Sequence, residues 1–168
     1  SSTERCWHPD NVFIGPDKTG VLKTVLKALQ LRDSAVLVES PCGWSVLRTL
    51  QSFGIRVIEW CASPEGVIDT DELNGLLRHG DIKMAILSSR MTPVRGRVMA
   101  LEQRQRLAQV LNRHGLWVLE NDSQGGLCFD QQIEPLHNFI DPERLMILGA
   151  FDKTIGLEAP FGYLLSRH

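Results

Sequence analysis

Short, uninterrupted apolar runs alternate along this chain with stretches of helical periodicity, and this alternation limits the possible folds more than any other feature. Apolar side chains recur at helical spacing in residues 18–29, whereas residues 35–38 are continuously apolar, as in a strand that is buried on both faces. A chain that repeats such units buries its apolar surface by laying helices on both faces of a parallel sheet. The pattern therefore predicts an α/β fold with three α/β/α layers and a mainly parallel sheet.

The same pattern places the individual elements. Gly54 and Gly115 end helices, and Asp69 with Glu72 three positions on forms an imperfect capping box at a helix start. The predicted helices are 18–29, 44–53, 69–79 and 101–114. The predicted strands are 11–14, 35–38, 56–60, 82–87, 117–119, 145–148 and 161–165.

Length, charge and composition argue against several classes of protein. A chain of 168 residues without an internal linker predicts one domain, residues 11–168, after an N-terminal extension or tag remnant at 1–10. The net charge of -2 gives no general attraction to nucleic acid or to acidic membranes. No apolar run approaches the roughly 18 residues of a membrane span, and no signal peptide is evident. We therefore expect a cytoplasmic protein without membrane contact.

The cysteines and histidines predict no metal site. The 4 cysteines include no CxxC pair, and the histidines lack metal-ligand spacing. The cysteine pattern predicts reduced thiols rather than a disulfide framework or a zinc site. Ser45 and Ser89 have no evident histidine partner for nucleophilic catalysis, so the sequence supports no catalytic triad.

Chemistry is expected beyond the carboxyl ends of the parallel strands, where ligands of such sheets bind. Lys153 lies about one turn past the apolar run 145–148, where an amine is well placed to form an imine with an aldehyde. Asp152 beside it favours the protonated, non-nucleophilic amine. A solvated surface lysine is the alternative interpretation.

Several motifs follow one another in the order and at the spacing of a known family. They are VESPC at 38–42, PEGVID at 64–69, ENDS at 120–123, and FDKT at 151–154 with Gly162 and Tyr163 downstream. Together they resemble the large domain of fold type I pyridoxal-phosphate enzymes. Within that group the chain is most similar to the aminotransferase-like domain of the MocR branch of GntR-type transcriptional regulators. The resemblance covers nearly all of residues 11–166 and implies a PLP-dependent transferase fold.

The resemblance implies the cofactor pyridoxal 5'-phosphate and assigns the residues at its ring. Lys153 takes the Schiff-base position and is the implied catalytic residue. Asn121 or Asp122 is implied to bond the pyridine nitrogen, and asparagine holds that proton less well than the family's aspartate. Thr92 stands where a family asparagine bonds the phenolic oxygen. The alternative for residues 121–126 is a polar turn that closes a strand.

The stacking and phosphate positions depart further from the family. Trp44 lies beside the stacking position, which falls on Gly43. It could cover the cofactor ring, but helix packing is the favoured role. Lys18 and Thr19 fall in the implied phosphate cradle with Asp17, whose carboxylate would repel a phosphate and is better suited to capping a helix. Two further family positions near the phosphate are changed, to Ala150 and Pro160.

A group of arginines offers a second candidate site. An anionic ligand or nucleic acid is one interpretation, but no aromatic residue is interleaved among them, and a solvated loop and helix face is favoured. They are Arg90, Arg95, Arg97, Arg104 and Arg106.

Three functions are compatible with these features. The favoured one is a non-catalytic, effector-sensing domain of a MocR-type regulator, which responds to an amino acid or a vitamin B6 vitamer. The resemblance implies a homodimer, and DNA binding only through a winged-helix domain outside this chain. The others are an active pyridoxal-phosphate aminotransferase that works through Lys153, and a structural pseudoenzyme that binds a protein partner.

Overall fold

The computed structural model describes residues 7–88, 99–121, 134–150 and 161–167. Helices and strands alternate along most of the chain, as the sequence predicts. The strands are β1 (Val12–Gly15), β2 (Ala35–Glu39), β3 (Arg56–Trp60), β4 (Ile82–Ser88), β5 (Trp117–Asn121), β6 (Leu145–Ala150) and β7 (Gly162–Ser166). The helices are α1 (Lys18–Ala28), α2 (Trp44–Ser52), α3 (Thr70–His79) and α4 (Leu101–His114), with short 3-10 turns at Pro9–Asn11, Leu136–Asn138 and Pro142–Arg144.

The strands form one 7-stranded sheet in the order β1-β7-β6-β5-β4-β2-β3. The strands from β2 to β6 are parallel to their neighbours in this group. Strand β7 runs antiparallel to both β6 and β1. The predicted α/β fold with a mainly parallel sheet is therefore confirmed, and the carboxyl ends of the parallel strands share one edge.

Two apolar cores, one on each face of the sheet, hold the layers together. Along β2, Ala35 and Leu37 pack into the core that contains residues of α3 and α4. Val36 and Val38 pack into the core that contains residues of α1 and α2. All four side chains are fully buried, at 0% exposure. Burying one such large aliphatic side chain contributes about 1.5–3 kcal/mol, so the continuous apolar run of β2 is explained by its two covered faces.

Local sequence fixes several helix boundaries. Asp17 caps α1, and Asp69 caps α3 by accepting hydrogen bonds from the N–H groups of Asp71 and Glu72. Gly115 ends α4 in the left-handed region, with φ of 63°, which glycine adopts without steric cost.

Strands β5 and β6 each extend two residues beyond their predicted ends. The two added residues of β5 pair with Ile147 and Leu148 of β6, and the two added residues of β6 pair with Tyr163 and Gly162 of β7. Polar or small side chains at these positions end the apolar pattern, but the backbone still pairs with the neighbouring strand. Tertiary pairing, which the local pattern does not report, thus decides these ends.

The predicted solvated arginine face is wrong at one position. Arg104 is buried, at 5% exposure. Its guanidinium donates to the backbone carbonyls of Met99, at 3.0 Å, and Glu134. Arg106 is exposed, as expected, and pairs with Glu102 at 2.7 Å. The other arginines of this group, at 90, 95 and 97, lie outside the described residues.

None of the described helices combines the length and the apolar composition needed to cross a membrane.

Cys42, which is half-buried, and Cys61, which is exposed, are free thiols.

Candidate functional site

The carboxyl edge of the parallel strands gathers the described candidate residues. Strand β1 ends there at Gly15, and β7 begins there at Gly162, its register partner. Gly162 also pairs with Ala150 at the end of β6. Asn121 at the end of β5 pairs with Leu148 of β6 and with Ser88 of β4. The predicted location of the site is thus formed by the ends of adjacent strands.

Helix α1 begins at this edge and lies tight against β7. A Cβ atom on Gly162 would stand 2.5 Å from the carbonyl oxygen of Asp17 and 2.7 Å from the nitrogen of Lys18. Only glycine at position 162 permits this approach. Lys18 and Thr19, the first residues of α1, are half-buried. The start of α1 is therefore held in place by backbone packing.

Asp17 occupies the N-terminus of α1. Its Oδ1 atom accepts a hydrogen bond from the N–H of Gly20 at 2.5 Å, while its backbone is extended. The side chain is exposed. The predicted N-cap role of Asp17 is confirmed, and a first-turn amide of α1 is already bonded to a carboxylate.

Asn121 faces the same side of the sheet as α1. Successive strand residues point to opposite faces, and Leu119, two residues earlier, belongs to the core that contains α1. The Oδ1 atom of Asn121 is buried. The start of α1 packs on β7, two strands away from β5 and two residues farther along the strands in register. These offsets place it roughly 12 Å from Asn121. The structure thus brings Asn121, Lys18 and Thr19 to one mouth of the sheet.

Glu39 joins the ends of two strands at the same edge, on the face of the sheet that α3 and α4 cover. Its Oε2 atom accepts a hydrogen bond from the backbone N–H of Ser88 at 2.8 Å. Burial raises the pKa of the Glu39 carboxyl above its ordinary value of 4.5, and the hydrogen bonds from Ser88 oppose part of that rise. Sequence reasoning missed this contact because it connects residues 49 positions apart.

A buried ionisable pair lies behind Asn121, on the other face of β5. Glu120 is 1% exposed, and its Oε1 atom lies 2.9 Å from Nδ1 of His137 in the turn Leu136–Asn138. Within the described ranges, its Oε2 atom has no hydrogen-bond partner. The pair ties the end of β5 to a turn that follows later in the chain. Its only sequence cue is a charged residue inside an apolar strand.

Trp44 stands at the opening of the mouth and does not pack into the core. It is the first residue of α2 and is 73% exposed, so the favoured helix-packing role is wrong. Gly43 before it caps α2 without a side-chain hydrogen bond, and a Cβ atom there would meet nothing within 4 Å. The side chain of Trp44 is accessible to a ligand or to another protein surface.

The remaining candidates lie outside the described residues. They are Lys153, Asp122 and Thr92, together with Asp152 and Pro160. Their roles stay predictions from the sequence. In the described part of the chain, no cluster of three or more His, Cys, Asp or Glu side chains is arranged to hold a metal ion.

Comparison with known proteins relates the chain to transcriptional regulators. No protein-family model matches the chain. It is 25% identical over 147 residues to the uncharacterized HTH-type transcriptional regulator YjiR of Escherichia coli K12, covering 87% of this chain and 31% of the relative. It is 23% identical over 128 residues to the regulator YdcR of the same organism, covering 72% of this chain and 27% of the relative. The chain thus spans about a third or less of the length of these curated relatives.

Solved structures of pyridoxal-phosphate enzymes share the fold. The PLP-bound C-S lyase of Staphylococcus hominis superimposes with a TM-score of 0.79 at 15% identity, over 97% of this chain and 43% of the enzyme. An archaeal alanine:glyoxylate aminotransferase gives a TM-score of 0.79 at 19% identity, over 96% of this chain and 41% of the enzyme. The chain has the aminotransferase-like large-domain fold of fold type I, and its curated relatives are HTH-type regulators.

Proposed function

We propose that this chain is the effector-sensing and self-association domain of a MocR/GntR-type transcriptional regulator, and that it does not catalyse amino transfer. The observation that carries the proposal is the relation, over most of the chain, to two HTH-type regulators. An aminotransferase-like fold in such a regulator offers a ligand site at the mouth of the sheet without requiring turnover.

The described residues fit pyridoxal 5'-phosphate poorly, which supports the loss of catalysis. At the phosphate end, Asp17 places a carboxylate on the first turn of α1. Two like charges 4 Å apart repel by about 1 kcal/mol in bulk water and about 4 kcal/mol near a protein surface. At the ring end, in the alignment that puts Asn121 rather than Asp122 beside the pyridine nitrogen, the ring meets an amide, which holds a pyridinium proton less well than a carboxylate. A cofactor held here would lose both affinity and electron-withdrawing power.

The partners of the domain follow from the same proposal. The ligand would be an amino acid or a vitamin B6 vitamer bound at the mouth beside Asn121 and Trp44. A second copy of the chain would complete a homodimer. DNA would be bound by a separate winged-helix domain, since this chain, with a net charge of -2, has no general attraction to DNA. Such a regulator would act in the cytoplasm.

An amino-transfer assay tests the proposal. The purified chain is mixed with pyridoxal 5'-phosphate, a panel of amino acids and 2-oxoglutarate, and the formation of glutamate is followed. We expect no glutamate above the protein-free control, while one member of a panel of amino acids and vitamers raises the melting temperature. Glutamate formation that disappears in Lys153→Ala would show that the chain is an enzyme.

An active aminotransferase is the second candidate, and two observations favour it. Lys153 is present at the Schiff-base position of the sequence motif, and the fold is shared with PLP-bound enzymes. Absorbance in the imine region after addition of pyridoxal 5'-phosphate, read together with glutamate formation, separates the candidates. A chromophore that requires Lys153 and is accompanied by glutamate formation supports the enzyme, whereas a chromophore without glutamate formation, or no chromophore, supports the regulator domain.

A further inference from the structure

We propose that the Asp17 carboxylate is a built-in anion that takes the place of a ligand's phosphate at the start of α1, so that the site selects unphosphorylated ligands. The inference rests on the proposed function in one respect, that the effector binds at the mouth of the sheet. It goes further by stating which chemical class of effector the mouth accepts.

The start of α1 is where a phosphate would bind in a fold of this kind. Phosphates bind at helix N-termini beyond the carboxyl ends of parallel strands, because amide N–H groups and the helix dipole favour negative charge. α1 has 11 residues, begins at that edge and carries Lys18 as its first residue, with no acidic residue in its first turn. The backbone there is fixed, since a Cβ atom on Gly162 would stand 2.5 Å from the Asp17 carbonyl oxygen.

Asp17 supplies the negative charge from within the chain. Its Oδ1 atom is 2.5 Å from the nitrogen of Gly20, in the first turn of α1. A phosphate that bound there would have to displace the carboxylate from this amide and would also face its charge. An unphosphorylated ligand meets neither obstacle. The Asp17 carboxylate therefore discriminates between two ligands that differ only in a phosphate group.

A second N-cap aspartate provides a matched control. Asp69 caps α3, with Oδ1 accepting from the N–H of Asp71 at 3.1 Å and from that of Glu72 at 2.9 Å. The first turn of α3 keeps these two acidic residues when Asp69 is replaced, whereas α1 has none in its first turn. Removing Asp17 therefore opens an anion site, and removing Asp69 does not.

The test compares pyridoxal with pyridoxal 5'-phosphate by titration calorimetry on the wild type, Asp17→Ser and Asp69→Ser. Serine is as good an N-cap as aspartate, so both helices are retained. We expect the wild type and Asp69→Ser to bind the phosphorylated compound no more tightly than pyridoxal. In Asp17→Ser the ratio of the two affinities should shift at least tenfold towards the phosphorylated compound. Inorganic phosphate should raise the melting temperature of this variant and not that of the wild type or Asp69→Ser. Asp17→Asn, a cap of nearly the same shape, is measured as well and should shift the ratio in the same direction because the charge is lost.

Two results would overturn the inference. One is a wild type that prefers the phosphorylated compound tenfold or more with Asp17 in place. The other is an unchanged ratio in both Asp17 variants, including the case in which none of the probes binds them. Failure of this inference can be distinguished from failure of the proposed function. Amino transfer by the wild type would refute the regulator domain, and a shifted affinity ratio in Asp17→Ser would still support the role of Asp17.

Discussion

At the residue scale, the buried carboxyl of Glu39 makes stability depend on pH. Its pKa is raised above 4.5 in the folded state, mainly by burial, so the folded chain keeps this proton at a pH where the unfolded chain has lost it. Stability therefore falls as pH rises from about 4.5 through the folded pKa. The Glu39→Gln variant has no ionisable group at this position, and its side-chain oxygen can still accept the hydrogen bond from the Ser88 N–H. We expect the wild type to lose stability relative to Glu39→Gln over this interval, measured by urea unfolding at a series of pH values.

A neighbouring carboxyl controls for the general effect of pH. Glu59 lies on the adjacent strand β3, opposite Val38, and is exposed. We expect Glu59→Gln to follow the wild-type curve. A constant difference between the wild type and Glu39→Gln across the pH series would mean that burial of Glu39 does not affect its ionisation.

At the element scale, α4 carries two arginines with opposite environments. Arg104 is 5% exposed and donates to the carbonyls of Met99 and Glu134, whereas Arg106 is about half exposed and pairs with Glu102. Arg104→Ala leaves two carbonyls without their charged donor and removes buried packing, so we expect a loss of about 2–4 kcal/mol. Arg106→Ala should cost less than about 0.5 kcal/mol. Urea unfolding of the two variants checks this difference, and equal losses would contradict it.

The helices show which features a local sequence pattern predicts and which it does not. The helix starts at Asp17 and Asp69 were predicted correctly because a cap depends on residues three positions away. The burial of Arg104 was not, because its partner carbonyl at Glu134 lies 30 residues later. Local patterns fix where α4 begins and ends, but they do not report which polar side chains its neighbours enclose.

At the scale of the whole molecule, the place of the candidate site was predictable and its internal contacts were not. Parallel strands bring their carboxyl ends to one edge, so the positions of Asn121 and Lys18 follow from the order of elements. The contacts from Glu39 to Ser88 and from Glu120 to His137 join distant parts of the chain. Residue type alone does not predict which of these residues contact each other.

The same edge carries exposed apolar side chains, and we expect it to be the surface through which two copies of the chain associate. Five large apolar side chains near the carboxyl edge are each at least 45% exposed. Trp44 and Leu101 begin α2 and α4, Phe161 directly precedes β7, Val67 lies in the connection from β3 to α3, and Ile14 lies near the end of β1. Apolar surface concentrated on one side of a domain is typical of a protein contact. We therefore expect the chain to sediment as a dimer, and Trp44→Glu to shift it towards the monomer.

Trp44→Glu is suited to this test because an acidic residue is favoured in the first turn of a helix. Gln51→Glu is the matched control, since it adds the same charge at an exposed position on α2, seven residues or about 10 Å farther from the edge. Sedimentation velocity over a range of concentrations should give the wild-type mass for Gln51→Glu and a lower average mass for Trp44→Glu. If Trp44→Glu dimerises as readily as the wild type, Trp44 does not contribute to the contact. The burial of a large aromatic side chain at the centre of an interface commonly contributes about 2 kcal/mol or more, which shifts the dissociation constant roughly thirtyfold and is well within the range that sedimentation resolves.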